Sequence, residues 1–151
     1  MKRDSARALV DAIAFAADKH RRQRRKDAEA SPYINHPIAL ARVLSVEAGL
    51  TDPVLLAAAV LHDTLEDTET SFEELRERFG KTVASVVLEV SDDKTLDKAE
   101  RKRLQIEHAA GISRRAKLVK LADKICNVRD VASNPVKTTF WKYSVLYFIM
   151  V

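Results

Sequence analysis

Through most of the chain, apolar residues recur every three or four positions, the period of a helix with one buried stripe. Leu9, Ile13, Ala16 and Ala17 predict a first helix over about residues 4–20. His36 stands directly before Pro37. The residue before proline avoids the α region, whereas proline itself suits a helix's first turn. A helix should therefore enter at His36, run to about Ala48 and stop at Gly49. Asp52 and Pro53 read as the N-cap and first residue of another, which should continue to about Asp67. Ser71 and Glu74 have capping-box spacing, and Gly80 closes that helix. A short helix over residues 82–90, a polar loop over 91–97, a highly charged helix over 97–110 and an amphipathic one over 113–131 complete the pattern. No segment of any length has the two-residue period of a strand, and there is no repeat or linker. The reading is one all-α domain, a helical bundle.

Composition agrees. Three glycines and four prolines in 151 residues favour helices over a turn-rich β fold. A single cysteine, Cys126, fits a reducing compartment and reads as a core residue. The N-terminus carries acidic residues and no long apolar stretch, and no apolar run approaches the roughly 20 residues of a membrane span. The expectation is a cytoplasmic protein. A net charge of +4 would help hold a polyanion without proving one. The last twenty residues differ: five of the nine aromatics lie within residues 140–148, and no acidic residue follows Asp130.

The stretch AVLHDTLED, residues 59–67, begins as buried helix and then carries His62, Asp63, Glu66 and Asp67. Spacings of four put them on one broad helical face, beside a stripe with Leu61 and Leu65. Imidazole with carboxylate is a ligand set for Mn, Fe or Zn. One His-Asp pair offers too few ligands, but the chain has others. His36 stands at a helix entrance. Asp123 lies on a helix whose apolar positions are Leu118, Leu121, Ala122, Ile125 and Val128, with Lys120, Asp123 and Asn127 on a polar stripe. Two histidines and two aspartates could hold one octahedral ion with positions left for water. The plainer reading is a surface or hydrogen-bonded core pair, and spacing does not choose between them. The basic run KHRRQRRK, with six Lys and Arg in residues 19–26, likewise reads as a solvated helix end, an address, a nucleic-acid patch or a phosphate grip. Tyr33 could stack on a base or pack on its own domain.

Several segments in order then resemble one family: RRQRRKD (21–27), PYINHP (32–37), AAAVLHDTLEDT (57–68), SDDKT (91–95) and AKLVKLADKICNVRD (116–130). They resemble the hydrolase domain of RelA/SpoT homologues, a branch of the HD-domain metal phosphohydrolases, and most of all its stand-alone small alarmone hydrolases. The resemblance covers about residues 5–131. It implies an HD-domain helical bundle with one Mn²⁺ and hydrolysis of the 3′-pyrophosphate of the guanosine nucleotide (p)ppGpp, without a synthetase activity. It implies His36, His62, Asp63 and Asp123 as metal ligands and Glu66 and Asp67 as the catalytic pair. Arg25 and Lys26 would contact the nucleotide, and Asn127 would shape the pocket. Asp92, Asp93 and Lys94 would lie nearby in supporting roles. The partner is a small nucleotide, neither a nucleic acid nor a membrane.

Chemistry supports this independently. A bound cation neutralises phosphoryl oxygens and acidifies water, and a carboxylate can take the proton. Glu66 is favoured as acceptor and Asp67 as organiser. Two rival readings keep the site: a phosphatase acting on another nucleotide such as NADPH, and a catalytically impaired nucleotide-binding regulatory domain. The second draws on residues 132–151, a divergent C-terminal segment or terminal helix that departs from the family after an HD hydrolase domain over residues 1–131. A missing wall there would expose core surface and favour a homo-oligomer.

Overall fold

The axis of the fold is its most apolar helix, α3 (Pro53–Leu61), and every residue from Leu55 to Leu61 is buried. A helix apolar on all sides has no face to give to water and must be enclosed. Its start is fixed by sequence: Asp52 has extended backbone, its carboxylate accepts from the Val54 N–H at 3.0 Å, and Pro53 opens the helix. The computed structural model describes residues 2–133. Around α3 pack α1 (Lys2–Lys19), α2 (Asn35–Arg42), α6 (Lys81–Val90) and α8 (Arg114–Ser133). The short α4 (Thr64–Asp67) follows α3, α5 (Phe72–Phe79) pairs with α6, and α7 (Lys98–His108) buries no residue. Among the described residues extended pairing is limited to one isolated bridge, Arg24 with Pro32, so the all-α reading holds.

The capping signals act as expected. The Ser71 hydroxyl accepts from the Glu74 N–H at 3.1 Å, and Gly80 closes α5 at φ 85°, a left-handed backbone that L side chains avoid. The Ser113 hydroxyl accepts from Ala116 N–H at the start of α8.

Three expectations need correction. The helix from Asp52 does not run through to Asp67. It stops at Leu61, and His62 and Asp63 form the joint to α4. Side chains there take the carbonyls of the last turn: His62 Nδ1 donates to Ala59 O at 2.9 Å and the Thr64 hydroxyl to Leu61 O at 2.7 Å. Such local bonds compete with the helical ladder and end it. The helix expected to reach Ala48 changes to a π-helical turn, Val43–Glu47, with Ala48 N–H donating to Val43 O at 2.9 Å before Gly49. On α8 the buried stripe is Ala116, Val119, Ala122 and Cys126, whereas Leu121 and Val128 are about half exposed, at 56% and 50%. These residues form the inward face of a helix that packs against α2, α3 and α6. The segment 134–151, the greater part of the divergent C-terminus expected from sequence, lies outside the described residues.

Candidate metal centre and active site

Three parts of the chain converge where α3 ends. His36 comes from the first turn of α2, its ring buried because Pro37 and Leu40 carry that helix into the core. His62 follows the last residue of α3. Asp123 projects from the middle of α8, with Ala122 beside it in the core. One ligand atom from each of His36, His62 and Asp123 lies within 4.8 Å of the others. His36 Nε2 is 2.9 Å from Asp123 Oδ1, and His62 Nε2 is 4.0 Å from the same oxygen. Asp63 adjoins the trio, its Oδ2 2.8 Å from His62 Nε2 and accepting a hydrogen bond from the Tyr33 hydroxyl.

The donor set fits a divalent cation. Because His62 Nδ1 donates to the Ala59 carbonyl, its other nitrogen faces the cluster. His62 Nε2 is buried and makes no properly aligned hydrogen bond, and His36 Nδ1 is likewise buried without one. A buried polar atom left unpaired costs about 1–3 kcal/mol, and His62 Nε2, 2.8 Å from Asp63 Oδ2 and 4.0 Å from Asp123 Oδ1, stands where a cation could bridge it to both carboxylates. Burial pulls the His62 ring towards its neutral form, but the charges of Asp63 and Asp123 outweigh it and raise its pKa overall. Burial pushes Asp63 up, yet the His62 charge, the Tyr33 hydroxyl and His36 hold it well below the usual carboxylate range.

These groups form the floor of a cavity of about 270 Å³. Glu66 and Asp67, on α4, stand at its wall but in different settings. Glu66 is mostly buried, and burial raises its pKa, partly offset by the Asp92 N–H that donates to Oε2 at 3.1 Å. Asp67 is bonded by Lys94, whose ammonium is also 3.9 Å from Glu66 Oε1. Asp92 is in turn held by the Gln105 amide. On the opposite side, the Arg25 guanidinium lies 3.4 Å from Asn127 Oδ1 and 2.5 Å from Asp130 Oδ2, and Asn127 donates to Asp123 at 2.8 Å. Lys120 and Lys124 also line the cavity.

The structure thus gathers His36, His62, Asp63, Glu66, Asp67, Asp123, Arg25 and Asn127 around one space. Lys26, next to Arg25, is exposed and does not line it. Sequence reasoning misses Gln105 as part of this wall, since a polar residue on a charged helix carries no sign of where it points, whereas Lys120 stands on the polar stripe already read with Asp123 and Asn127. It also misses the buried His20, hidden inside a basic run. Tyr33 packs on its own domain, with its ring 4.8 Å from that of His20.

Comparison with known proteins places this arrangement. A family model described as an HD domain matches residues 12–143. The guanosine-3′,5′-bis(diphosphate) 3′-pyrophosphohydrolase of Xenopus tropicalis is 60% identical over 123 residues, 82% of this chain and 69% of that protein. Its Homo sapiens counterpart is 61% identical over the same shares. The bifunctional (p)ppGpp synthase/hydrolase SpoT of Escherichia coli is 38% identical over 86% of this chain and 19% of its own length. A solved structure of a metazoan SpoT orthologue, described as hydrolysing ppGpp and acting in starvation responses, superposes with a TM-score of 0.87 at 49% identity, covering 93% of this chain and 80% of that one.

Proposed function

This chain belongs to the HD-domain family, and from that premise we propose that it is a (p)ppGpp 3′-pyrophosphohydrolase working with Mn²⁺. The observation that carries the reading is the cluster of His36, His62 and Asp123 on the floor of a cavity that also presents Glu66 and Arg25. The similarity to guanosine 3′-pyrophosphohydrolases along 82% of the chain supplies the substrate. The cytoplasm is the compartment that suits this activity. Among the described residues no helix is long and apolar enough to cross a membrane.

His36, His62, Asp63 and Asp123 would hold the ion. Two imidazoles and two carboxylates are a donor set that Mn²⁺ accepts. A divalent cation there supplies Lewis acidity towards water and phosphoryl oxygens. The chain's own groups do the rest. Glu66, with its raised pKa, takes the proton from the attacking water, and the Asp92 N–H keeps the carboxylate turned for it. Asp67, gripped by Lys94, orients that water. Arg25 holds phosphate with its fork of N–H donors, with Asn127 beside it. Water adds to the phosphorus attached to the ribose 3′-oxygen, and that oxygen leaves and regains a proton. The products are GDP or GTP and pyrophosphate. Cys126 takes no part, since burial pushes its thiol pKa up.

The test is to offer the Mn²⁺-loaded protein ppGpp, NADPH and a generic phosphodiester. Pyrophosphate release from ppGpp, lost in Glu66→Gln, is the expected result. Phosphate release from NADPH alone would reassign the substrate, and binding without turnover would make this a nucleotide-binding module.

A further inference from the structure

One buried group near the site has no part in the hydrolytic mechanism. His20, the residue after α1, is 2% exposed. Its ring lies against Tyr33, with centroids 4.8 Å apart and planes 33° apart, and its Nδ1 is 2.7 Å from Gln23 Oε1. The Gln23 amide nitrogen donates to the backbone carbonyl of Asp67 at 2.7 Å. Only a donor can meet a carbonyl, so the Gln23 oxygen faces His20, and Nδ1 carries the hydrogen between them. The other nitrogen, Nε2, is buried without a partner.

A phenylalanine would fill this place without burying an unpaired Nε2, but it would take the donor from the Gln23 oxygen. The imidazole is accounted for by what it does at both edges. Its face fixes Tyr33, whose hydroxyl donates to Asp63. Its Nδ1–H fixes Gln23, which holds the last residue of α4. The two arms reach the two ends of α4, Asp63 at its N-terminal joint and Asp67 at its last residue. Tyr33 continues the ring contacts inwards, 6.0 Å from His36, itself 5.4 Å from His62.

We propose that His20 and Gln23 are positioning residues: His20 sets Asp63 through Tyr33 and, through Gln23, sets the Asp67 end of α4. Groups that orient ligands from behind change metal affinity or activity by roughly 10- to 100-fold when removed. The proposal rests on the ligand set of His36, His62, Asp63 and Asp123, and its test separates the two.

His20→Phe keeps the ring and loses the donor, whereas His20→Asn keeps a donor near Nδ1 and loses the ring. Mn²⁺ affinity of the metal-free proteins is measured by calorimetry, and kcat and KM on ppGpp are measured separately. The expected result is that His20→Phe binds Mn²⁺ like the parent but loses roughly tenfold in kcat at unchanged KM. His20→Asn and Tyr33→Phe each weaken Mn²⁺ binding roughly tenfold. Gln23→Met, outside the core, reproduces the His20→Phe kinetics and covers the case in which the His20 variants do not fold. Parental Mn²⁺ affinity in Tyr33→Phe together with parental kcat in Gln23→Met overturns the positioning role. Failure of the parent itself to bind Mn²⁺, or parental binding by His62→Ala, overturns the ligand set instead.

Discussion

His36 and Asp123 stand 87 positions apart in the chain and meet at 2.9 Å, an imidazole nitrogen against a carboxylate oxygen, at the floor of the cavity. The pair ties α2 to α8 across the end of α3. Asp123→Ala would strip the partner from a nitrogen on a side chain that is only 3% exposed. The metal-free variant should lose about 1–3 kcal/mol of stability, and Mn²⁺ should no longer raise its melting temperature. Thermal melts with and without Mn²⁺ read both effects. Undiminished protection by Mn²⁺ would remove Asp123 from the ligand set.

Glu66 carries a cost in the metal-free fold. Burial raises its pKa above the ordinary 4.5, so the folded state binds the proton more tightly than the unfolded chain does. Its favourable contribution is complete below the unfolded value and disappears as pH rises through the folded one. At neutral pH the buried charge is a liability, and Glu66→Gln should melt higher than the parent. The gain should shrink as pH approaches 4.5 and below. The same substitution should abolish turnover. Melting curves across this range check the first claim, and a variant less stable than the parent at pH 7 contradicts it.

Asp52 combines two bonds, accepting from Val54 N–H at the head of α3 and meeting Arg115 Nε at 2.6 Å. Burial pushes its pKa up, but Arg115 and the α3 N–H groups outweigh that and hold it below the ordinary carboxylate value. Its contribution is therefore present above the unfolded pKa and lost as pH falls through the folded one. Asp52→Ala should cost about 0.5–2 kcal/mol at pH 7 by loss of the cap. Asp52→Asn should keep most of the capping and lose part of the acid sensitivity. Urea unfolding at pH 7 and in mild acid distinguishes the variants.

Arg25 is pinned between Asn127 and Asp130 in the structure. Lysine would keep the charge and lose the fork that matches a phosphate. Arg25→Lys should raise KM roughly tenfold with a smaller change in kcat, because the contact is made to bound substrate as well as to the transition state. Steady-state kinetics would show the opposite split, kcat falling at constant KM, if Arg25 acted only on the transition state.

Much of the fold and site is legible in residue order. Asp52-Pro53, Ser71 and Gly80 mark their helix ends by local chemistry, and local chemistry survives folding. The His36-Pro37 junction marks the entrance of α2 to within one residue, although the helix already begins at Asn35 and His36 is itself helical. The features that escape sequence reasoning are set by competition or by distant packing. The joint at His62 and Asp63 depends on side chains displacing backbone donors from two carbonyls, which a hydrophobic period does not register. The rotation of α8, exposing Leu121 and burying Val119, is set by its packing against α2, α3 and α6. His20 sits among arginines and lysines, and only the fold reveals that its ring is buried.

α4 is a single turn of four residues, so where Glu66 points depends on the residue count within it. Each residue added to or removed from a helix swings the residues beyond it by about 100°. One amino acid inserted between Thr64 and Glu66 would leave every side chain of the site present, yet would turn the Glu66 carboxylate away from the cluster of His36, His62 and Asp123. Substitution in this turn can be graded, whereas insertion there is all or nothing.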